Sequence, residues 1–324
     1  MPSKIELLKV RDFGEIITDS FIFARQNFKQ LIKCFFIFAG FLLLAGSVTM
    51  ALHQSRVLSG LSASEFGTHN SIFDQMYDTD YWLALLFLVL GYVVLQVTIL
   101  CYIAVYREKG NIAPTVEEVW GYIKYFFWRI FFSTILLTII FIAAIAIVFG
   151  ILFAISSSNT YLAIFLSVLL CIVPVVYLYP IFSLIFPIMV FENASFGYAF
   201  SRSFTIIKSN WWSTFGSLFI MSLIVWVASF VILLPVGILN IIQVLAHFEK
   251  GTSFSMVTTI VSALMEALSH SLYIVPIITV SLCYFSLTEQ REGEGLLGRI
   301  SMLGATPPPV HDEENTAEDE EDEL

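Results

Sequence analysis

Glu266 and His270 stand one helical turn apart in the last long apolar run of this chain. At i, i+4 a carboxylate and an imidazole share a helix face, and such a pair could relay protons or hold a cation. Ionisable groups inside a membrane are candidates for function, and the apolar runs here contain very few. Pro174, Pro180 and Pro187 interrupt a second run, with Tyr177 and Tyr179 between them. Proline frees the carbonyl one turn back, so this segment could line a cavity or bend. Glu266, His270, Pro174 and Pro180 are therefore the candidate transport or proton-relay residues. Plainer readings stand beside these: a solvated or structural Glu–His pair at the outer end of a long span, and a static kink packed by aromatics. Gln96 is a lone mid-span amide, expected to bond a neighbouring helix.

Other chemistry is thin. His53, His69, His247 and His270 map to one side but match no metal-ligand spacing, and no cysteine joins them. Cys34, Cys101, Cys171 and Cys283 lie in or at the ends of apolar runs without CxxC spacing, as packing residues do. No phosphate-binding loop, zinc-protease helix or nucleophile elbow is present. No catalytic residue, cofactor or metal is expected.

A repeated word is more informative. The pattern F-G-x5-S-F-x5-N occurs as Phe13, Gly14, Ser20, Phe21, Asn27 and again as Phe196, Gly197, Ser203, Phe204, Asn210, with Arg25 answered by Lys208. Phe13, Ile16, Ile17, Phe21, Ala24, Phe28 and Leu31 follow helical spacing, as do Phe196, Ala199, Phe200, Ser203, Phe204, Ile207 and Trp211. Both copies are expected to be amphipathic helices lying in the cytoplasmic interface, apolar face down. Ser20 and Ser203 interrupt the stripe at equal places, where a hydroxyl can bond the carbonyl one turn back or let another helix approach closely. Asn27 and Asn210 fall where the chain turns into the membrane, and each is expected to cap the following helix by accepting a backbone N–H. A weaker third copy, Thr115–Lys124, follows Pro114, which suits a first helical turn.

The elements that carry these residues are membrane spans. The chain is 58% hydrophobic and 13% charged, with a mean hydropathy of +0.84, which lies outside the soluble globular range. A bilayer core needs roughly 20 apolar residues per helix. Six runs qualify, at about Cys34–Leu52, Tyr81–Tyr106, Phe126–Ile155, Tyr161–Val190, Ser213–Val236 and Met256–Leu287. Continuous rather than alternating apolarity makes them helices, since backbone groups in lipid must be satisfied within the segment. The expected fold is all-α: a polytopic membrane domain over residues 1–303, with six helices in three hairpins, each preceded by an interfacial helix. The repeat units run from about 12 to 108, 114 to 192 and 195 to 289, as parallel repeats. After Pro235, Gly237–Phe248 is expected to form an interfacial helix on the outer face, and His53–Asp80 a small cap.

Fourteen of the sixteen Lys and Arg residues fall on one side of this topology, with Arg56 and Lys250 on the other. The positive-inside rule makes the first side cytoplasmic and places both termini there. The first 33 residues are polar and amphipathic, so no cleavable signal peptide is expected. The net charge of −10 comes mostly from Asp312–Leu324. Thr306–Pro309 is a stiff spacer, and residues 304–324 are expected to be a disordered cytoplasmic tail. That tail either solubilises or docks a basic partner. The basic residues flank spans, which fits membrane lipids rather than nucleic acid as a partner.

The repeated word, the six spans and the stretch Phe285-Ser286-Leu287-Thr288-Glu289-Gln290-Arg291-Glu292-Gly293-Glu294-Gly295-Leu296-Leu297 carry a resemblance. Over about residues 10–303 the chain resembles a family of six-helix inner-membrane proteins of Bacteroidetes-type bacteria. It is similar in layout to the membrane domain attached to some bacterial glycerophosphodiester phosphodiesterases. The resemblance implies a helical membrane domain and brings no catalytic residues. The leading expectation is a non-enzymatic scaffold or accessory subunit of the bacterial inner membrane. The alternative is a small-molecule or lipid transporter with a pathway near the fourth and sixth spans.

Overall fold

The computed structural model describes residues 5–62, 77–155, 160–245 and 253–293. His69, His247, most of the expected outer cap and the acidic tail lie outside the described residues. Among those described, all regular structure is helical. Six helical segments are long and apolar enough to cross a membrane: Phe28–Val57, Thr79–Glu108, Val116–Gly150, Leu170–Phe191, Trp211–Gln243 and Ser255–Glu292. This is a multi-pass membrane protein, and the expected all-α class holds.

Helix α1 (Phe13–Gln26) begins with a reciprocal cap. Asp12 accepts from the Glu15 backbone N–H at 2.7 Å, while Glu15 accepts back from the Asp12 N–H at 3.3 Å. Lys9 Nζ, 3.0 Å from Glu15, and then the Asp12 amide hold the Glu15 carboxyl below its ordinary range. Asn27 breaks the helix, and the chain enters the first span as α2 (Phe28–Cys34), a π-helical turn at Phe35–Gly40 and α3 (Phe41–Ser62). The second span is α4 (Thr79–Glu108), the third α5 (Val116–Ile155) and the fourth α6 (Thr160–Phe191). Helix α7 (Phe196–Ile207) precedes the fifth span, α8 (Trp211–Leu245). The sixth is α9 (Ser253–His270), a 3-10 turn at Ser271–Tyr273, and α10 (Ile274–Glu292).

Two expectations need correction. The middle unit has no separate interfacial helix: α5 runs unbroken for 40 residues, about 60 Å at 1.5 Å per residue. Nothing in Val116–Phe126 stops a helix, and no asparagine stands at its junction with the span. Likewise no helix starts after Pro235, because α8 continues through it to Leu245. Ile238, Ile241 and Ile242 are exposed along that continuation, and lipid-embedded helices tolerate proline. The sixth span runs as one apolar segment, Ser255–Glu292, as expected. It carries a 3-10 turn at Ser271–Tyr273, where Pro276 has no N–H to offer the Leu272 carbonyl.

The spans α4, α6 and α10 end alike. Each closes on a left-handed residue just past the helix: Gly110 and Asn111, Asn193, and Gly293. Residues with φ near +60° let the chain turn back and satisfy terminal carbonyls, as Asn111 N–H does to Tyr106 O at 3.0 Å and Gly293 N–H to Glu289 O at 2.9 Å.

Two glycines fix how closely α3 and α4 cross. A Cβ on Gly46 would lie 2.8 Å from the Leu88 side chain, and one on Gly91 would lie 2.7 Å from Leu43. Each leucine thus fills the notch left by the facing glycine, the small-residue packing that brings membrane helices together. Gly91→Ala is expected to cost about 1–3 kcal/mol by overpacking, read as a lower unfolding midpoint in detergent micelles. Gly121→Ala, with open space around it, is expected to be neutral or slightly stabilising.

Candidate functional site

His270 ends α9 and is buried. Its Nε2 lies 3.1 Å from Ser47 Oγ on α3 and its Nδ1 lies 2.8 Å from Tyr92 OH on α4. Ser47 also donates to Leu43 O at 2.9 Å. A hydroxyl has one hydrogen, so with it directed to Leu43 the Ser47 oxygen accepts from His270 Nε2–H, and Nδ1 meets Tyr92 OH, which clamps the imidazole between two helices. Glu266 is half-buried, and its carboxylate makes no hydrogen bond among the described residues. The structure therefore does not join the pair into a carboxylate–imidazole relay. Nor does it bring Pro174 and Pro180 to them. Helix α9 packs mainly on α3 and α8, whereas α6 packs mainly on α5, α7 and α10. Pro174 is exposed and Pro180 buried, and Ser183 Oγ donates to the Pro180 carbonyl at 2.8 Å.

The repeated word is structural in both copies. Ser20 and Ser203 are fully buried and bond back to Ile16 O at 2.7 Å and Phe200 O at 2.8 Å. Ser20 also accepts from Thr279 Oγ1 on α10 at 3.0 Å. Ile16 and Ala199 are buried at matching positions, as are Phe23 and Ile206. Phe13, Phe21 and Phe28 of the apolar stripe are exposed, while α1 packs on α8 and α10 through the face of Ile16, Ser20 and Phe23. Phe204 and Phe196 are half-buried, and neither Gly14 nor Gly197 meets a close neighbour that would demand glycine.

Asn27 does not cap the following helix through its side chain. Asn27 has φ −106° and ψ 10°, not the extended geometry of an N-cap, and makes no side-chain cap bond. Its side chain turns into the core instead. Nδ2 donates to Phe23 O at 3.1 Å and Oδ1 accepts from Tyr102 OH on α4 at 3.1 Å. Asn210 Nδ2 donates to Gln290 Oε1 at the end of α10.

Two features were not legible as sites. The first is an apolar slot of about 320 Å³ between α4, α5, α6 and α10. Pro187 and Pro276 both line it, so it sits where two turns lacking a backbone donor meet. Leu100, Leu137, Phe182 and Phe186 form much of its wall, and exposed Val175 and Tyr179 also line it. Gln96, expected to bond another helix, lines the slot instead and makes no hydrogen bond among the described residues. The second is a polar basin of about 990 Å³ at the basic ends of α4 and α5 and the end of α6, lined by Arg107, Glu108, Lys109, Glu117, Tyr122 and Asn193 among others. Only the three prolines in one run hinted at the slot, and nothing in the sequence marks which helices face them.

No group of three or more His, Cys, Asp or Glu that could hold a metal exists among the described residues. No protein-family model, curated protein or solved structure matches the chain.

The geometry at Asn27 separates a cap from a core link. Asn27→Asp would preserve a capping acceptor but lose the donor to Phe23 O, so a loss of about 1–3 kcal/mol is expected. Asn210→Asp, more exposed, is expected to stay within about 0.5 kcal/mol. Chemical unfolding of both variants in the same micelles checks the difference.

Proposed function

We propose that this chain is a non-enzymatic, multi-pass protein of the bacterial cytoplasmic membrane that holds a lipid acyl chain in the slot between α4, α5, α6 and α10. The slot itself carries the reading. Binding cavities are mostly apolar with few polar groups, typically of roughly 300–1,000 Å³, and this one is lined by leucine, phenylalanine, valine and proline with exposed Val175 and Tyr179 among them. A hydrocarbon chain is the ligand that such a wall and a surrounding bilayer supply together. The positive-inside rule orients the basic face, with Arg107, Lys109, Lys124, Arg129 and Arg202, toward the cytoplasm. The matching burial of Ile16, Ser20 and Phe23 with Ala199, Ser203 and Ile206 supports duplication of the unit that begins with F-G-x5-S-F-x5-N.

A scaffold role for the acidic tail is the second reading, supported by the acidic run Asp312–Leu324. Removing residues 310–324 is expected to release any partner that co-purifies through it, and unchanged co-purification would remove that role.

For the slot, purified wild-type protein is expected to keep bound phospholipid through a detergent wash, seen by native mass spectrometry. Ser183→Phe, which fills the slot, is expected to lose it. Gln96→Leu removes an amide with no partner among the described residues from an apolar wall, and is expected to stabilise by about 1 kcal/mol. A loss of stability in Gln96→Leu would instead mark Gln96 as the contact of a polar ligand and contradict an acyl-chain slot.

A further inference from the structure

A groove of about 1030 Å³ opens against α6 where α7 gives way to α8. Its polar end is the link Lys208–Asn210 with Trp212 and Ser213. Its apolar end is Ile172, Val173 and Val176, which are exposed together on one face of α6. Trp211 fixes the two ends to each other. Its ring stacks on Tyr177 at 5.7 Å, and its Nε1 donates to Tyr177 O at 3.1 Å. Pro180 stands just beyond, where its missing N–H leaves the Val176 carbonyl without a ladder donor.

Counting the partners already made leaves this groove with one cation and no carboxylate. Asn210 Nδ2 is spent on Gln290, and the Trp211 indole on Tyr177. Lys208 Nζ, the Ser209 and Ser213 hydroxyls and the Trp212 indole make no hydrogen bond or ion pair among the described residues. Lys208 is the only Lys, Arg, Asp or Glu among the described lining residues. At the adjoining ends of α6 and α10, Glu192 and Glu292 both pair with Arg202, and Glu289 is buried. A phosphodiester supplies acceptors for these donors and the counter-charge for Lys208. A primary ammonium would meet Lys208 with no carboxylate to receive it. An acidic peptide would match the charge but not the exposed valine and isoleucine face, which an acyl chain covers.

Independently of the slot between α4, α5, α6 and α10, we propose that this groove binds an anionic phospholipid, its phosphate at Lys208, Ser209 and Trp212 and one acyl chain along Ile172, Val173 and Val176.

The test titrates phosphatidylglycerol and phosphatidylethanolamine with identical acyl chains, separately, into full-length Ser183→Phe protein in micelles. That substitution fills the slot, so lipid bound in native mass spectra reports the groove. Phosphatidylglycerol is expected to bind more tightly than phosphatidylethanolamine. Adding Lys208→Gln, at an exposed position, is expected to weaken phosphatidylglycerol about tenfold, the effect of one charge-assisted hydrogen bond, and to abolish the preference. Adding Val173→Trp, where the side chain is 68% exposed, is expected to weaken both lipids by obstructing the chain. Arg25 holds the place of Lys208 in the first copy of the repeated word but does not line the groove, so Arg25→Gln is expected to leave the preference intact. Equal binding of the two lipids, or a preference that survives Lys208→Gln, overturns the headgroup assignment. An equal fall in Arg25→Gln marks general attraction to the basic end and overturns the site, as does unchanged binding in Val173→Trp.

Discussion

A polar group inside a bilayer has no water to turn to, and that constraint shapes this bundle. Most hydroxyls in the spans meet it locally by bonding the carbonyl one turn back, as Thr49 does to Ala45, Thr98 to Val94 and Thr134 to Ile130. Some polar groups reach across helices elsewhere, as Tyr102 does to Asn27 and Tyr179 to Ser222, but many of them meet on the sixth span. His270 meets Ser47 and Tyr92, and Thr279 donates to Ser20. Tyr284 OH donates to Glu192 at 3.0 Å, the Arg11 amide donates to Ser286 at 2.9 Å, and Gln290 and Glu292 take donors from Asn210 and Arg202. The sixth span thus ties the first and second spans, α1 and α7, Asn210 just ahead of the fifth span and Glu192 just past the fourth. It is also the most buried of the six.

The basic ends are held by ion pairs whose signs alternate between the two copies of the repeated word. In the first, Asp19 on the helix pairs with Arg11 from the preceding segment at 2.8 Å. The Arg11 guanidinium is almost fully buried and also donates to Leu7, Lys9 and Glu6 carbonyls, which ties residues 5–11 onto the bundle. In the second, Arg202 occupies the position of Asp19 and pairs with Glu192 and Glu292. The helix position is shared and the sign of its charge exchanged, while the partners come from different places in the chain. A buried guanidinium with four carbonyl and carboxylate partners is a specifying contact, since removing one partner leaves a charge unpaired.

The spans were legible because length and apolarity are set by the bilayer and read along one chain. Their terminal caps were half legible: the similar ends at Tyr106, Phe191 and Leu287 are visible as residue types, but the left-handed turns at Asn111, Asn193 and Gly293 need backbone geometry. What a single sequence cannot show is which face of a uniformly greasy helix meets which neighbour. So the spacing marks Phe21 and Phe28 as an apolar stripe but does not mark Ser20 and Asn27 as the residues that α10 and α4 meet. Glu266 and His270 read as a pair by spacing, although both imidazole nitrogens serve other helices. The slot escapes for the same reason: Gln96, Pro187 and Pro276 belong to three different helices and meet only in the fold.

The sixth span is the interior hub of the bundle and the third is peripheral. Ile278, Thr279, Ser281 and Phe285 are fully buried, whereas Phe132, Ile139, Ile142 and Ile147 on α5 are each close to 60% exposed. Photolabelling of the wild-type protein in bilayers with a lipophilic, carbene-generating diazirine reads this directly, because the reagent inserts into whatever faces the lipid. The peptides covering 132–150 should label heavily and those covering 274–289 hardly at all. Comparable labelling of the two regions would contradict the hub, and with it the arrangement of helices that forms the slot.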